Sequence, residues 1–281
     1  MTAGLPRHMQ ICLAIAALLL VHGVSTTAAF MLPSSGRSLP LRAFPNMHEQ
    51  RRHVKGRSVS MQLKSKDFQT VSVWRDHLLA MATYGAMLGP QLDGYHSAFG
   101  VLKYTNPKQI SLAGHFLFET DYWVPAMFAL ASVILGISYP ILDMIFKEEE
   151  LSVPTPPKSL ACVSFFCFQY YCSGLLFQQG VEDVSLHLSL AISAVACWWI
   201  FDRTRTGAIM SIVTGLCGPL VEVFLLQVWP AWTGQTLYAY SAPDMLGIPL
   251  WIAWVYGCGA PAVGGLSRLT WNYVSTRTLN R

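Results

Sequence analysis

Residues Ala208–Val228 read Ala-Ile-Met-Ser-Ile-Val-Thr-Gly-Leu-Cys-Gly-Pro-Leu-Val-Glu-Val-Phe-Leu-Leu-Gln-Val. The run is about twenty residues long, the length a helix needs to cross the hydrocarbon core of a bilayer. Its one ionisable residue is Glu222. Backbone groups in lipid must be satisfied within the segment, so a run this apolar and this long is a helix.

Working outward, the same pattern recurs. Apolar spans are predicted at 77–101, 122–141, 160–177, 184–200, 208–228 and 248–266. The first is expected to be interrupted by Gly89-Pro90 and Asp93. The second half of the sixth is rich in Gly and Ala, which suits a helix packed inside a bundle. The predicted fold class is therefore all-α, a polytopic membrane helix bundle with about six transmembrane helices over residues 71–281.

Composition agrees. Hydrophobic types make up 53% of the chain and charged types 12%, against roughly a quarter charged in soluble domains. Mean hydropathy is +0.39. With six spans both ends lie on one side, together with Lys64, Lys66, Arg75, Lys147, Lys158, Arg203, Arg205, Arg268, Arg277 and Arg281. The opposite loops hold only Lys103 and Lys108. The excess of positive charge puts both termini in the cytosol or stroma.

The N-terminus reads as a leader. Residues 1–30 carry Arg7, an apolar run from Ile11 to Val21, and small residues from Ser25 to Ala29 before Phe30. This is the pattern of a signal peptide. Residues 31–70 are basic and serine-bearing. Between 31 and 66 they hold eight Arg or Lys and one acid, Glu49. That composition resembles a transit peptide, and the two-part leader points to a plastid membrane. The alternative is an endoplasmic reticulum signal followed by a basic tail. Because the basic run lies inside the leader, nucleic acid is not expected as a partner.

The seven cysteines form no C-x-x-C pair, and six lie in predicted spans. Neither a disulfide framework nor a metal site is expected, and no cofactor motif is present. Glu222, an acid at membrane depth, is a functional candidate. Asp93 and His96 invite a catalytic reading, but no residue at helical spacing completes a metal site and no Gly-x-Ser-x-Gly elbow occurs. No catalytic residue is assigned. Asp202 stands between Arg203 and Arg205 in a short turn after Trp198-Trp199. The turn reads either as a charged hairpin that fixes topology or as a docking surface. As an exposed ion pair, Asp202 would contribute under about 1 kcal/mol.

Here the chain resembles a family. The segment from Leu186-His187-Leu188-Ser189-Leu190 through Trp198-Trp199-Ile200-Phe201-Asp202-Arg203-Thr204-Arg205-Thr206-Gly207 is similar to the Insig (insulin-induced gene) family. So are Tyr122-Trp123-Val124-Pro125 with Tyr139-Pro140-Ile141-Leu142-Asp143, and Tyr240-Ser241-Ala242-Pro243-Asp244 followed by Gly264-Gly265-Leu266-Ser267-Arg268. The resemblance covers about residues 120–270. It implies an Insig-like six-helix membrane protein that is not an enzyme, binds a sterol or other membrane lipid within the bundle, and holds a partner integral membrane protein. It implies partner contact at Asp202, with Arg203 and Arg205 beside it. For the ligand, the expected contacts are Tyr122, Trp123, Tyr170 and Glu222. An integral membrane enzyme acting on a lipid or isoprenoid is the alternative. Convergence of Asp93, His96 and Glu222 would favour it.

Overall fold

The computed structural model describes residues 71–112, 115–148 and 153–279. The leader readings for 1–30 and 31–70 lie outside these residues. Six long helices are described: α1 (Val71–Ala98), α2 (Val124–Ile145), α3 (Pro156–Gln178), α4 (Asp183–Asp202), α5 (Arg205–Thr233) and α6 (Ile252–Leu279). Helices α2 to α5 are each long and apolar enough to cross a membrane. Leu188, Ile192 and Val195 on α4 and Ile212, Leu216 and Leu220 on α5 are exposed. In water such faces would aggregate; in a bilayer they are the lipid-facing surface. The protein is an integral membrane protein.

Helices α1 and α6 are equally long but carry more polar residues. Helix α6 packs against all five other long helices, so most of its surface meets protein rather than lipid. Its Gly-rich stretch allows this. A Cβ on Gly264 would overlap the ring of Tyr139 on α2, and one on Gly257 would crowd the Ser211 carbonyl on α5.

Two expectations need correction. Helix α1 is not interrupted: it runs unbroken through Gly89, Pro90 and Asp93. Gly89 is instead where Phe128 of α2 lies against the backbone of α1. The fold is also not purely helical. Strand β1 (Leu102–Tyr104) pairs antiparallel with β4 (Tyr238–Tyr240), with Leu102 opposite Tyr240 and Tyr104 opposite Tyr238. Strand β2 (Lys108–Leu112) pairs antiparallel with β3 (His115–Thr120), with a bulge between Ile110 and Ser111. The β1–β4 pair ties the α1–α2 connection to the α5–α6 connection. It buries three tyrosines at that end of the bundle: Tyr104, Tyr238 and Tyr240.

Helix ends follow local chemistry. Pro156-Pro157 opens α3, and Thr155 Oγ1 accepts from the Lys158 amide at 3.4 Å. Thr204 caps α5, its hydroxyl accepting from the Gly207 amide at 2.8 Å. Helix α4 closes in a π turn, Trp198–Asp202, and Arg203 then takes a left-handed conformation (φ 61°).

Candidate functional site

A cavity opens between α1, α2, α3 and α6, with one contribution from α5. It encloses about 800 Å³, its open mouth included, and its wall is almost wholly apolar. Small residues shape its wall. Gly85 and Gly89 on α1 let Phe128 of α2 pack directly on the α1 backbone, and Gly259 on α6 lets the Phe166 ring approach α6. The polar exceptions on the wall include Tyr170, Thr214 and Tyr256.

Two of these lead to buried acids. The Tyr256 hydroxyl donates to Oε1 of Glu222, and the Tyr240 hydroxyl donates to Oε2. The Tyr170 hydroxyl donates to Oδ1 of Asp93 at 3.4 Å, and the Tyr104 hydroxyl donates to Oδ2. Asp93 is thus met by one phenol from a helix and one from the β1–β4 pair, and Glu222 by Tyr256 from a helix and by Tyr240 and Tyr238 of that pair. Burial, reinforced by Asp93, holds the Tyr104 phenol well above its ordinary pKa. Burial and Glu222 do the same for Tyr238 and Tyr240. All three remain protonated, as donors must.

His96 lies beside this cluster. Its ring is 4.2 Å from that of Tyr170. Its Nε2 is 2.8 Å from Ser173 Oγ, which itself donates to the Tyr170 carbonyl. That arrangement calls for a proton on Nε2. Asp93 and His96 therefore meet at Tyr170, while Glu222 is held by Tyr238, Tyr240 and Tyr256. Among the described residues no group of three His, Cys, Asp or Glu side chains is placed to hold a metal.

The sequence-derived ligand residues are distributed unevenly around the cavity. Tyr170 lines it, and Glu222 sits behind Tyr256. Trp123 is stacked on Tyr238 at 5.6 Å, beneath the strand pair rather than on the cavity wall. Tyr122 is 80% exposed, with the Lys108 ammonium 5.1 Å from its ring centre. Sequence reasoning missed Tyr104, Tyr240, Tyr256 and Thr214. Tyr238-Ala239-Tyr240 does carry a short alternating signal, buried–exposed–buried, but nothing local says which acid the second tyrosine reaches.

The turn at Asp202 also differs from expectation. Its side chain is only 2% exposed. The partner is not a neighbouring arginine but Arg268 of α6, whose Nη1 donates to Asp202 Oδ1 at 2.8 Å. Arg268 is itself buried. Its Nε and Nη2 grip Asp143 of α2 at 2.7 Å each, and Nη2 also reaches Thr204 Oγ1 at 3.0 Å. Thr204 returns a hydrogen bond to Asp202 at 2.6 Å. The flanking arginines point outward. Arg203 lies over the Trp199 ring at 4.4 Å, and Arg205 is exposed. Glu148 accepts from the Arg205 and Thr206 amides at 2.6 and 3.1 Å, an anion at the start of α5.

The family model described as Insulin-induced protein (INSIG) matches residues 77–270. The chain belongs to the INSIG family. Its INSIG relatives include the insulin-induced gene 1 protein of Gallus gallus, 27% identical over 209 residues, which cover 71% of this chain and 75% of that one. The Danio rerio protein is 29% identical over 158 residues, 54% of this chain and 57% of that one. The chain spans just over half the length of the Danio rerio and Homo sapiens INSIG relatives it matches. Among solved structures, a mycobacterial Insig homolog from Mycobacterium vanbaalenii, MvINS, aligns with a TM-score of 0.53 at 18% identity, covering 72% of this chain and 95% of that chain. A cross-linked trimer of the same protein gives 0.54. At that identity the likeness speaks for the INSIG fold alone.

Proposed function

We propose that this INSIG-family protein is a non-catalytic regulator or scaffold. In this reading it binds a membrane lipid or sterol-like molecule between its helices and retains partner membrane proteins of lipid or isoprenoid metabolism. Helices α1 and α6 complete a six-span bundle with both termini on the cytosolic or stromal side. The observation that carries the reading is the apolar cavity with only a few polar residues on its wall, Tyr170, Thr214 and Tyr256 among them, the form a site for a mostly apolar ligand takes. Asp93 and His96, both at Tyr170, are what the alternative of a lipid- or isoprenoid-modifying enzyme draws on. It expects turnover of the bound molecule.

The test is lipid carried through purification. Wild-type protein is expected to hold a lipid in near-stoichiometric amount, identified by mass spectrometry. Val263, half-buried on the cavity wall, offers the clean perturbation. Val263→Trp fills the space and is expected to lower the retained lipid at least about tenfold, an energy near 1.4 kcal/mol, without lowering the melting temperature. Wild-type protein free of lipid above the annular background would defeat the reading.

The partner surface is assigned to Arg203, Arg205 and Trp199, with Asp202 holding the turn in shape from behind. The leader assigns the membrane to a plastid, the endoplasmic reticulum being the alternative. A fluorescent fusion of residues 1–70 that stays in the endoplasmic reticulum would decide for the latter.

A further inference from the structure

Two thiols from different helices meet inside the bundle. Cys162 of α3 and Cys197 of α4 are both reduced and both buried, and their Sγ atoms lie 3.8 Å apart. We propose that this pair is a site of oxidative modification: a neutral hydroperoxide converts it to a disulfide that ties α3 to α4 behind the turn carrying Trp199, Arg203 and Arg205.

Helix register sets the sulfurs face to face. Gln169 lies seven residues beyond Cys162 on α3, and Leu190 seven residues before Cys197 on α4. There the Gln169 Nε2 donates to the Leu190 carbonyl at 3.0 Å and to Ser193 Oγ at 2.8 Å. Residues seven apart share one face of a helix. In two antiparallel helices the tie at Gln169 therefore places Cys162 opposite Cys197. The Phe165 and Phe201 rings, 5.8 Å apart, hold the same two helices together beside the thiols.

Forming the bond requires the sulfurs to close from 3.8 Å to about 2.05 Å. The slack is in α4. Its regular helix ends at Cys197, and the π turn Trp198–Asp202 follows. On its other side Cys197 is held by one weak contact, its thiol donating to the Cys258 carbonyl of α6 at 3.7 Å. Oxidation removes that donor and puts a covalent α3–α4 tie in its place.

Both thiols lie within membrane-spanning helices and away from water, which shuts out a charged oxidant such as glutathione disulfide. A neutral hydroperoxide dissolves in the bilayer. The cavity brings it close, because Val163 and Gly259, the chain neighbours of Cys162 and Cys258, are on its wall. One sulfur attacks the peroxide bond and takes one oxygen as a sulfenic acid. The other oxygen leaves as an alcohol carrying that thiol's proton. The second sulfur then displaces the sulfenic oxygen as water, its own proton leaving with it, and the S–S bond forms. Two electrons pass from the two sulfurs to the peroxide.

The tie acts on the turn. Thr206, the residue after Arg205, is fully buried, so trypsin can cut after Arg205 only when the end of α4 and the start of α5 open. A bond at Cys197 resists that opening. Where the turn is the partner surface assigned above, the oxidised protein presents it fixed.

The experiment treats the full-length protein in nanodiscs with cumene hydroperoxide, blocks the remaining thiols and digests without reductant. Mass spectrometry is expected to find the Cys162 and Cys197 peptides linked in at least about half of the molecules, and dithiothreitol is expected to separate them. Trypsin is expected to cut the linked form after Arg205 at least about threefold more slowly than the reduced form. Cys197→Ala, which cannot form the link, is expected to show no slowing after the same treatment. Recovery of both cysteines as blocked thiols, or as unlinked sulfinic acids, overturns the inference in the wild type with no variant needed. Equal cleavage of the linked and reduced forms, or slowing in Cys197→Ala, overturns it as well. Lipid retention is read in a separate assay, so each of these failures leaves the lipid-binding reading standing.

Discussion

Replacing Arg268 with methionine is expected to destabilise the protein by about 3–5 kcal/mol, the usual cost of removing one member of a buried ionic group. The guanidinium is 8% exposed, Asp143 is 1% and Asp202 is 2%. Without Arg268 two carboxylates would remain in a site closed to water, near the Tyr139 ring over which the guanidinium now sits at 5.0 Å. Lysine cannot restore it, because one ammonium cannot form the paired bonds to Asp143 and also reach Asp202. Thermal unfolding of purified protein, followed by loss of the monodisperse species, reads the effect. A change under about 1 kcal/mol would show that the network contributes little. The same geometry revises the expectation for Asp202. Asp202→Ala is expected to behave as a buried-pair deletion, at about 3 kcal/mol or more, and not as the exposed pair its neighbours suggest. Loss of a partner in that variant would therefore not identify a contact. Arg205→Glu separates the two roles: it should lower partner capture and leave the melting temperature alone.

The second large effect is expected at Gly264. Its Cα lies so close to Tyr139 that a Cβ would sit 2.2 Å from two carbons of the ring. Tyr139 cannot move aside. It is fully buried, and its hydroxyl donates to the Ala260 carbonyl at 2.8 Å. Gly264→Ala must then push α6 away from α2, at a cost of about 3 kcal/mol or more. Gly265 is the control. A Cβ there meets Ser159 Oγ at 3.6 Å, ordinary contact distance. Gly265→Ala is expected to be neutral within about 1 kcal/mol, since alanine also favours the helix. Equal melting temperatures for the two variants would refute the packing. A Tyr139→Ala, Gly264→Ala double variant is expected to lose less than the sum of the single losses, because both act at one contact.

These residues mark where sequence stopped being informative. Hydropathy is a property of one segment at a time, and lipid solvates each apolar segment whatever its neighbours. Helices α2 to α5 could therefore be read to within about five residues, such as 184–200 against the observed Asp183–Asp202, whereas α6 runs on to Leu279, past the predicted end at 266. Helix α1 misled because Gly and Pro break helices in water, whereas here Gly89 serves close approach to Phe128. Glu222 was legible as a candidate because an acid at membrane depth is costly wherever it stands. Its partners were not, because Tyr240 reaches it from a strand and Tyr256 from the central helix.

The sequence by itself determined that this is a membrane protein of helices, that α2 to α5 are long and apolar enough to span, and which acid in α5 needed an explanation. Each of those depends on composition within a window. The tertiary structure alone decided what answers the buried charges. Leu102 pairs with Tyr240, Arg268 joins Asp143 to Asp202, and five tyrosines from helices and strands enclose two carboxylates. Such meetings depend on the order, rotation and depth of whole helices. Those are set by small residues such as Gly89 and Gly264 allowing backbones to approach, a property of pairs of surfaces that no single segment encodes.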